Sequence, residues 1–175
     1  VRGKEEAVGK KATRFKPGED VCGGRDGAFA EYVCPRENGS VVRKPASVTL
    51  EQAASLGIAG ITAWQGLRDK RQLQAGQKVL INGASGGVGT FAVQIAKSMG
   101  AEVTGVCSGR NAEMVRSLGA AHVINYTKED FAQSAQRYDL IIDNVPNHSL
   151  SECRRILNPK GKYAMIGGGG PNDGP

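Results

Sequence analysis

The sequence predicts an α/β protein in which a parallel sheet, wound on both sides by helices, follows a smaller β-rich segment. Short apolar runs alternate strictly with helical stretches through residues 76–175, and such alternation builds right-handed βαβ units. A glycine-rich turn joins the first of these runs to the first helix. The 25 glycines, about twice the usual share, cluster in turns and loops.

The β-rich segment comprises residues 1–48, which we assign to the C-terminal part of a small barrel-like domain. Proline and glycine divide it into short pieces, as in Lys16-Pro17-Gly18. Several short strands with turn residues between them are typical of small barrels. The expected extended stretches are Arg2–Val8, Glu19–Cys22, Ala28–Val33 and Val41–Lys44.

A helical connection is predicted over residues 49–75. Thr49 is a suitable N-cap, and Gln52 follows it at the spacing of a capping box. Helical composition continues from there, with expected interruptions near Gly57 and Gly60.

Residues 76–175 are predicted to form the doubly wound domain, incomplete at its C-terminal end. The expected strands are Lys78–Ile81, Val103–Cys107, His122–Asn125, Asp139–Asp143 and Tyr163–Ile166. The expected helices are Gly87–Met99, Glu113–Leu118, Glu129–Ala135 and Leu150–Leu157.

The glycine-rich turn is the most informative motif, because it follows a strand and opens a helix. Small side chains let a pyrophosphate approach the backbone, and the helix N-terminus offers it free N–H groups. Gly86 suits that approach, Gly89 suits close packing of helix on strand, and Ala84 stands where the usual pattern has its first glycine. We therefore predict a Rossmann-type dinucleotide site. Its predicted contributors in this turn are Gly83, Ala84, Ser85, Gly86, Gly87 and Val88.

The end of the second strand of this domain predicts the type of dinucleotide. NAD sites usually carry an acid there, which holds the ribose 2′-hydroxyl. This chain has none and offers Ser108 and Arg110, which suit a 2′-phosphate. NADPH is the predicted cofactor; the alternative is that Arg110 only caps a loop.

Composition excludes several other classes of function. The net charge of +6 is scattered, so no nucleic-acid partner is expected. The four cysteines form no C-x-x-C pair, which argues against a zinc ribbon or a disulfide scaffold. No apolar run approaches the roughly 18 residues that span a bilayer, so we expect no membrane partner and a cytoplasmic location. The first residue is Val1, which leaves a targeting signal open.

Taken together, these residues resemble the medium-chain dehydrogenase/reductase superfamily, and within it the zinc-free quinone oxidoreductase branch. The similarity covers nearly the whole chain. Its markers outside the glycine turn are Val8-Gly9, Phe15–Val21, Gly27–Tyr32, Ala53–Leu56, Ile61–Trp64, Arg110-Asn111 and Ser117–Ala120.

The resemblance implies a GroES-like catalytic domain, of which residues 1–48 are the C-terminal part, and a Rossmann domain that follows it. We expect this chain to lack both ends of such a protein, and the full-length protein to be a homodimer. Thr62 would lie near the nicotinamide, and Tyr126 near the adenosine ribose or its phosphate. Asn144, Val145, Gly167 and Gly168 would flank the nicotinamide. His122 and His148 are expected to be structural, and no proton donor is identified.

The resemblance also implies that the protein holds no metal. Zinc-dependent relatives carry a metal ligand four residues before the threonine that matches Thr62, and here that residue is Ile58, which cannot bind zinc. The implied reaction is hydride transfer from NADPH to quinones or other α,β-unsaturated carbonyl compounds. The alternatives are an enoyl thioester reductase and a cofactor-binding relative without activity. We expect the 175-residue chain itself to be inactive.

Overall fold

The computed structural model describes residues 2–24, 27, 29–68 and 72–166, and the predicted site residues Gly167 and Gly168 lie outside these ranges. The chain divides into two units, Val1–Ile61 and Thr62–Pro175. Each unit has its own sheet, antiparallel in the first and parallel in the second.

The first unit contains three short antiparallel strands in the order β1-β2-β3. Their bounds are Arg2–Lys4 for β1, Asp20–Gly23 for β2 and Val41–Arg43 for β3. A small core of Phe15, Val21 and Val41 lies beside the sheet. The strand expected at Ala28–Val33 is a wrong prediction: Ala28 is not described, and residues 29–33 form bends and coil. Their alternation finds no buried face, since Phe29 and Tyr32 are exposed.

The helical segment begins as predicted. In α1, Leu50–Ser55, the backbone N–H of Gln52 donates to Thr49 Oγ1, and Gln52 Oε1 accepts from the N–H of Thr49. The expected interruption is instead a π-helical turn, Leu56–Gly60. Glycine is favoured at position 57, because a Cβ there would make a tight contact, 3.1 Å from the carbonyl oxygen of Gly23. Helix α2 follows at Ile61–Arg68.

The second unit is a doubly wound parallel sheet, which confirms the predicted fold class. The strand order is β6-β5-β4-β7-β8, so the order reverses at β4, and open α/β sheets place ligand clefts at such a point. The strands are β4 Lys78–Asn82, β5 Glu102–Cys107, β6 His122–Asn125, β7 Tyr138–Asp143 and β8 Leu157–Met165. The helices are α3 Gly87–Ser98, α4 Ala112–Ser117 and α5 Leu150–Arg155.

The sheet is buried on both faces, as parallel sheets require. Alternate residues of β4 enter different cores: Val79 and Ile81 pack with α3, whereas Leu80 packs on the opposite face with Ile141 and Cys153. All five of these side chains are inaccessible to solvent. This burial holds the strand ends rigidly level with one another.

Two elements differ from their predictions. The helix expected at Glu129–Ala135 is a single 3₁₀ turn, Phe131–Gln133, because Asp130 caps the turn and Ser134 returns to extended backbone. Strand β8 begins six residues earlier than expected, at Leu157 instead of Tyr163. Its pairing with β7 shifts register between Tyr138 and Leu140, and an irregularity of this kind accommodates a proline inside a strand.

Among the described residues, no helix combines the length and the apolar character needed to cross a bilayer.

Candidate functional site

A cleft of about 760 Å³ lies at the carboxyl edge of the parallel sheet. The register places Asn82 of β4 opposite Val106 of β5 and Asp143 of β7, so three strand ends are level at its floor. Of the predicted site residues, those that line the cleft are Gly83, Ser85, Gly86, Gly87, Val88, Tyr126, Asn144 and Val145.

The turn after β4 can be made only by small residues at particular places. Gly83 has φ +73°, and a Cβ on it would lie 2.9 Å from Val145 Cγ2. A Cβ on Gly89 would overlap the carbonyl oxygen of Gly83 and come within 2.8 Å of the Ala84 backbone. The sequence predicted close packing of helix on strand at Gly89, and the structure shows close packing of α3 on the turn that follows β4.

Ala84 is the exception within the turn. Its side chain is inaccessible to solvent and lies 3.0 Å from the place of a Cβ on Gly105, while its N–H donates to the carbonyl oxygen of Val106. The structure thus gives Ala84 a packing position beneath the cleft.

Helix α3 presents its N-terminus to the cleft. Its N-cap, Gly86, has extended backbone and contributes no side-chain hydrogen bond. The first turn of a helix has N–H groups without intrahelical acceptors, and these groups attract an anion. Gly86, Gly87 and Val88 line the cleft at this point.

A buried carboxylate fixes the turn after β7. Asp143 is inaccessible to solvent. Its Oδ1 accepts from Asn82 Nδ2 at 2.9 Å and from the N–H of Val145 at 3.2 Å, and its Oδ2 accepts from the Tyr163 hydroxyl at 2.7 Å. Burial, together with the hydrogen bond to Asp143, raises the pKa of Tyr163, so the phenol stays protonated as a donor. Sequence reasoning missed this network, whose only signal was a polar residue ending each of two apolar strands.

Asn144 carries an unused acceptor at the cleft. Its Nδ2 donates to the carbonyl oxygen of Asn82 at 2.8 Å. Its Oδ1 is buried and finds no donor among the described residues. An unsatisfied buried acceptor is costly.

The predicted phosphate residues after β5 sit beside the glycine turn. Asn111 Nδ2 donates to Ser85 Oγ at 3.1 Å and to Ser108 Oγ at 3.2 Å. Arg110 is exposed in the 3₁₀ turn Gly109–Asn111. Ser108 and Arg110 are not among the cleft-lining residues; Ser108 is joined through Asn111 to Ser85, which does line the cleft.

The far wall of the cleft carries a histidine and two acids, which sequence reasoning did not place there. His148 Nε2 lies 2.8 Å from Asp130 Oδ1, and the ring packs 4.4 Å from that of Phe131, centroid to centroid. Burial raises the pKa of Asp130, but hydrogen bonds from the N–H of Ala132 and from His148 outweigh it, so this pKa lies below its ordinary value. Glu129 lines the same wall.

Thr62 does not line the cleft. It is half-buried in α2, one turn before Gly66 and on the same helix face. A Cβ on Gly66 would lie 3.0 Å from Ile166 and 3.4 Å from Ile142. Thr62 therefore lies on the face that α2 turns toward the ends of β7 and β8.

Comparison with known families places the chain. The family described as "Zinc-binding dehydrogenase" matches residues 87–174, half of the sequence. The chain belongs to this family. The predicted medium-chain dehydrogenase/reductase superfamily is thereby confirmed.

The chain's relatives include a trans-enoyl reductase, an NAD(P)H oxidoreductase and a quinone oxidoreductase. The chain is 38% identical to the trans-enoyl reductase pgmF of Aspergillus terreus, over 87% of this chain and 46% of that protein. It is 44% identical to the human mitochondrial NAD(P)H oxidoreductase RTN4IP1, over 75% of this chain and 36% of that protein. The structure of a quinone oxidoreductase from Pseudomonas syringae pv. Tomato matches with a TM-score of 0.84 and 33% identity, over 95% of this chain and 54% of that one. The chain thus spans about half the length of such relatives or less.

The family's description names zinc, and the described part of this dehydrogenase does not fit that ion. No three histidine, cysteine, aspartate or glutamate side chains come together among the described residues in a group that could hold a metal. Ile58, which the resemblance places at the position of a zinc ligand, has a hydrocarbon side chain that is 78% exposed.

Proposed function

We propose that this dehydrogenase is the cofactor-binding part of an NADPH-dependent, zinc-independent oxidoreductase that transfers hydride to quinones or other α,β-unsaturated carbonyl compounds. One observation carries the proposal: a bed of small residues, Gly83 to Val88, opens onto the uncapped N-terminus of α3 inside a cleft at the sheet's switch point. The geometry suits two linked phosphates.

The remaining lining residues suit the rest of the dinucleotide. Asn144 and Val145 line the cleft and would border the nicotinamide. Tyr126, 60% exposed at the opposite side of the turn, would contact the adenosine ribose. The bound cofactor supplies the hydride, and the protein holds and orients it.

The choice of NADPH rests on the end of β5. Ser108 and Arg110 offer a hydroxyl and a guanidinium where a carboxylate would favour NADH. Glu129 is the residue that could favour NADH instead, because it also lines the cleft and could accept from a ribose hydroxyl.

The acceptor class follows from the chemistry and from the relatives. A quinone or enone carbon is already electrophilic, so its reduction demands less polarisation by a metal than alcohol oxidation does. Relatives named quinone oxidoreductase and trans-enoyl reductase support this class. A homodimer of the full-length protein and a cytoplasmic location stay predictions.

The decisive experiment is a fluorescence titration of the 175-residue chain with NADPH and with NADH. We expect NADPH to bind at least about tenfold more tightly, the gain of one charge-assisted phosphate contact. A preference for NADH would contradict the assignment of Ser108 and Arg110 and would point to Glu129. Failure to bind either dinucleotide would contradict the proposed function.

A second candidate is an enoyl thioester reductase, favoured by the 38% identity to pgmF. Parallel assays of the full-length protein with a simple quinone and with an enoyl thioester separate the two functions. Turnover of neither substrate, with NADPH still bound, would identify a cofactor-binding relative without activity.

A further inference from the structure

We propose that Asn111 determines cofactor preference by orienting two serine hydroxyls, those of Ser85 and Ser108, as donors to the 2′-phosphate, which NADPH carries and NADH lacks. This inference rests on the proposed function and deepens it. Asn111 is a positioning residue, since it acts through the serines.

The geometry is a bridge between two loops. Ser85 belongs to the turn after β4, and Ser108 follows β5. Asn111 Nδ2 reaches both hydroxyl oxygens, at 3.1 Å and 3.2 Å. The Asn111 amide therefore joins the two loops, since it reaches Ser85, a residue 26 positions earlier in the chain, at the rim of the cleft.

The direction of these hydrogen bonds decides what the hydroxyls can do next. A serine oxygen that accepts from an amide N–H keeps its own O–H free to donate. Both hydroxyls are then available to an acceptor, and a phosphate group offers only acceptors. A ribose 2′-hydroxyl needs an acceptor for its own proton, which carboxylates supply best.

The backbone holds Asn111 in this place independently of any ligand. Its N–H donates to the carbonyl oxygen of Ser108 at 3.0 Å, which closes the 3₁₀ turn Gly109–Asn111. The side chain is half-buried, so it loses little freedom when a ligand arrives. The adjacent Arg110 is exposed and adds positive charge at the same rim.

The test is the substitution Asn111→Asp, which keeps the shape of the side chain and reverses the direction of its hydrogen bonds to the two serines. The carboxylate accepts from both hydroxyls, so their protons turn away from the ligand, and its charge repels a phosphate. We expect the Kd for NADPH to rise at least about tenfold, and the Kd for NADH to change by less than about twofold. The matched control is Gln94→Glu, the same amide-to-carboxylate change on α3, at a side chain that donates within its own helix; it should leave both Kd values unchanged.

A double-mutant cycle shows whether Asn111 acts through Ser108. Asn111→Ala and Ser108→Ala should each weaken NADPH binding about threefold to tenfold, and the double variant should lose clearly less than the sum of the two single losses. Additive losses would overturn the inference, because the two side chains would then act independently. Equal loss of NADPH and NADH in Asn111→Asp would also overturn it, in favour of a folding role.

The two levels of the proposal fail differently. A wild-type chain that binds neither dinucleotide overturns the proposed function and the role of Asn111 with it. A wild-type chain that prefers NADPH while Asn111→Asp keeps the same preference overturns the role of Asn111 alone.

Discussion

At the scale of single residues, the two ends of the glycine turn have different requirements. Gly86 has an extended backbone, and a Cβ on it would make only an ordinary contact, 3.4 Å from the carbonyl oxygen of Gly83. Gly89 has no such room, because its helix lies directly on that carbonyl group. Glycine at position 86 therefore keeps the cleft open, whereas glycine at position 89 is needed for the turn to form.

Gly86→Val tests whether the dinucleotide binds over the small residues of the glycine turn. The variant should fold, because the backbone angles of residue 86 suit any residue. The valine side chain should fill the space that we propose for the pyrophosphate. We expect NADPH binding to weaken at least about tenfold with little change in melting temperature. Ser98→Ala, at the far end of α3, is the control. Wild-type affinity in Gly86→Val would place the dinucleotide elsewhere.

Gly89→Ala tests the close packing. The added methyl group forces α3 away from the turn, and overpacking of this kind costs about 1–3 kcal/mol. We expect a lower midpoint in urea denaturation, whether or not a dinucleotide is present. An unchanged midpoint would show that the turn yields easily.

At the scale of elements, three strands are joined at their carboxyl ends by one carboxylate. Asn82 ends β4, Asp143 ends β7 and Tyr163 lies in β8. The same carboxylate holds the N–H of Val145, and Val145 packs against the glycine turn. Asp143 therefore fixes the position of Val145, and with it the glycine turn, relative to the strand ends.

Asp143→Ala removes an acceptor shared by one buried and two half-buried donors and leaves a cavity. An unsatisfied buried donor costs about 1–3 kcal/mol, so we expect a loss of at least about 3 kcal/mol in the free energy of unfolding. Tyr163→Phe leaves only Oδ2 of the buried carboxylate without its donor and should cost less, about 1–3 kcal/mol. Equal losses in the two variants would contradict a shared network.

Helix α5 makes stability depend on pH through its capping box. The hydroxyl and the N–H of Ser149 both donate to the Glu152 carboxylate and hold its pKa below the ordinary 4.5. The folded state therefore binds this proton less tightly than the unfolded state, so the stabilisation is complete above pH 4.5 and is lost as the pH falls through the lowered pKa. Glu152→Gln keeps a capping side chain without the charge. Its melting temperature should lie below that of the wild type at about pH 7, and the difference should shrink as the pH falls through the lowered pKa of Glu152.

At the scale of the whole molecule, the cleft at the sheet edge belongs entirely to the second unit. All of its lining residues lie between Asn82 and His148. The chain spans about half the length of its curated relatives, or less. Cofactor binding and turnover can therefore be separated by experiment.

We predict that the 175-residue chain binds NADPH but does not reduce a quinone, whereas the full-length protein does both. Stopped-flow absorbance at the NADPH band measures hydride transfer in each. Turnover by the chain alone would show that residues 1–175 contain every group that the reaction needs.

The sequence by itself determined the repeating strands and helices, the capping box at Thr49 and the glycine turn. Each of these depends on near neighbours: side-chain periodicity, a cap three residues from its partner, or backbone that only small residues permit. Local pattern misled at Ala28–Val33 and at Glu129–Ala135, where burial and a side-chain cap decided the conformation.

Only the tertiary structure decided the strand order and the contacts that strand order creates. Asn82 meets Asp143 across 61 positions, and Asp130 meets His148 across 18. Likewise Asn111 reaches Ser85 because β4 and β5 are adjacent and in register. Such pairings arise from packing between segments far apart in the chain, and no local propensity encodes them.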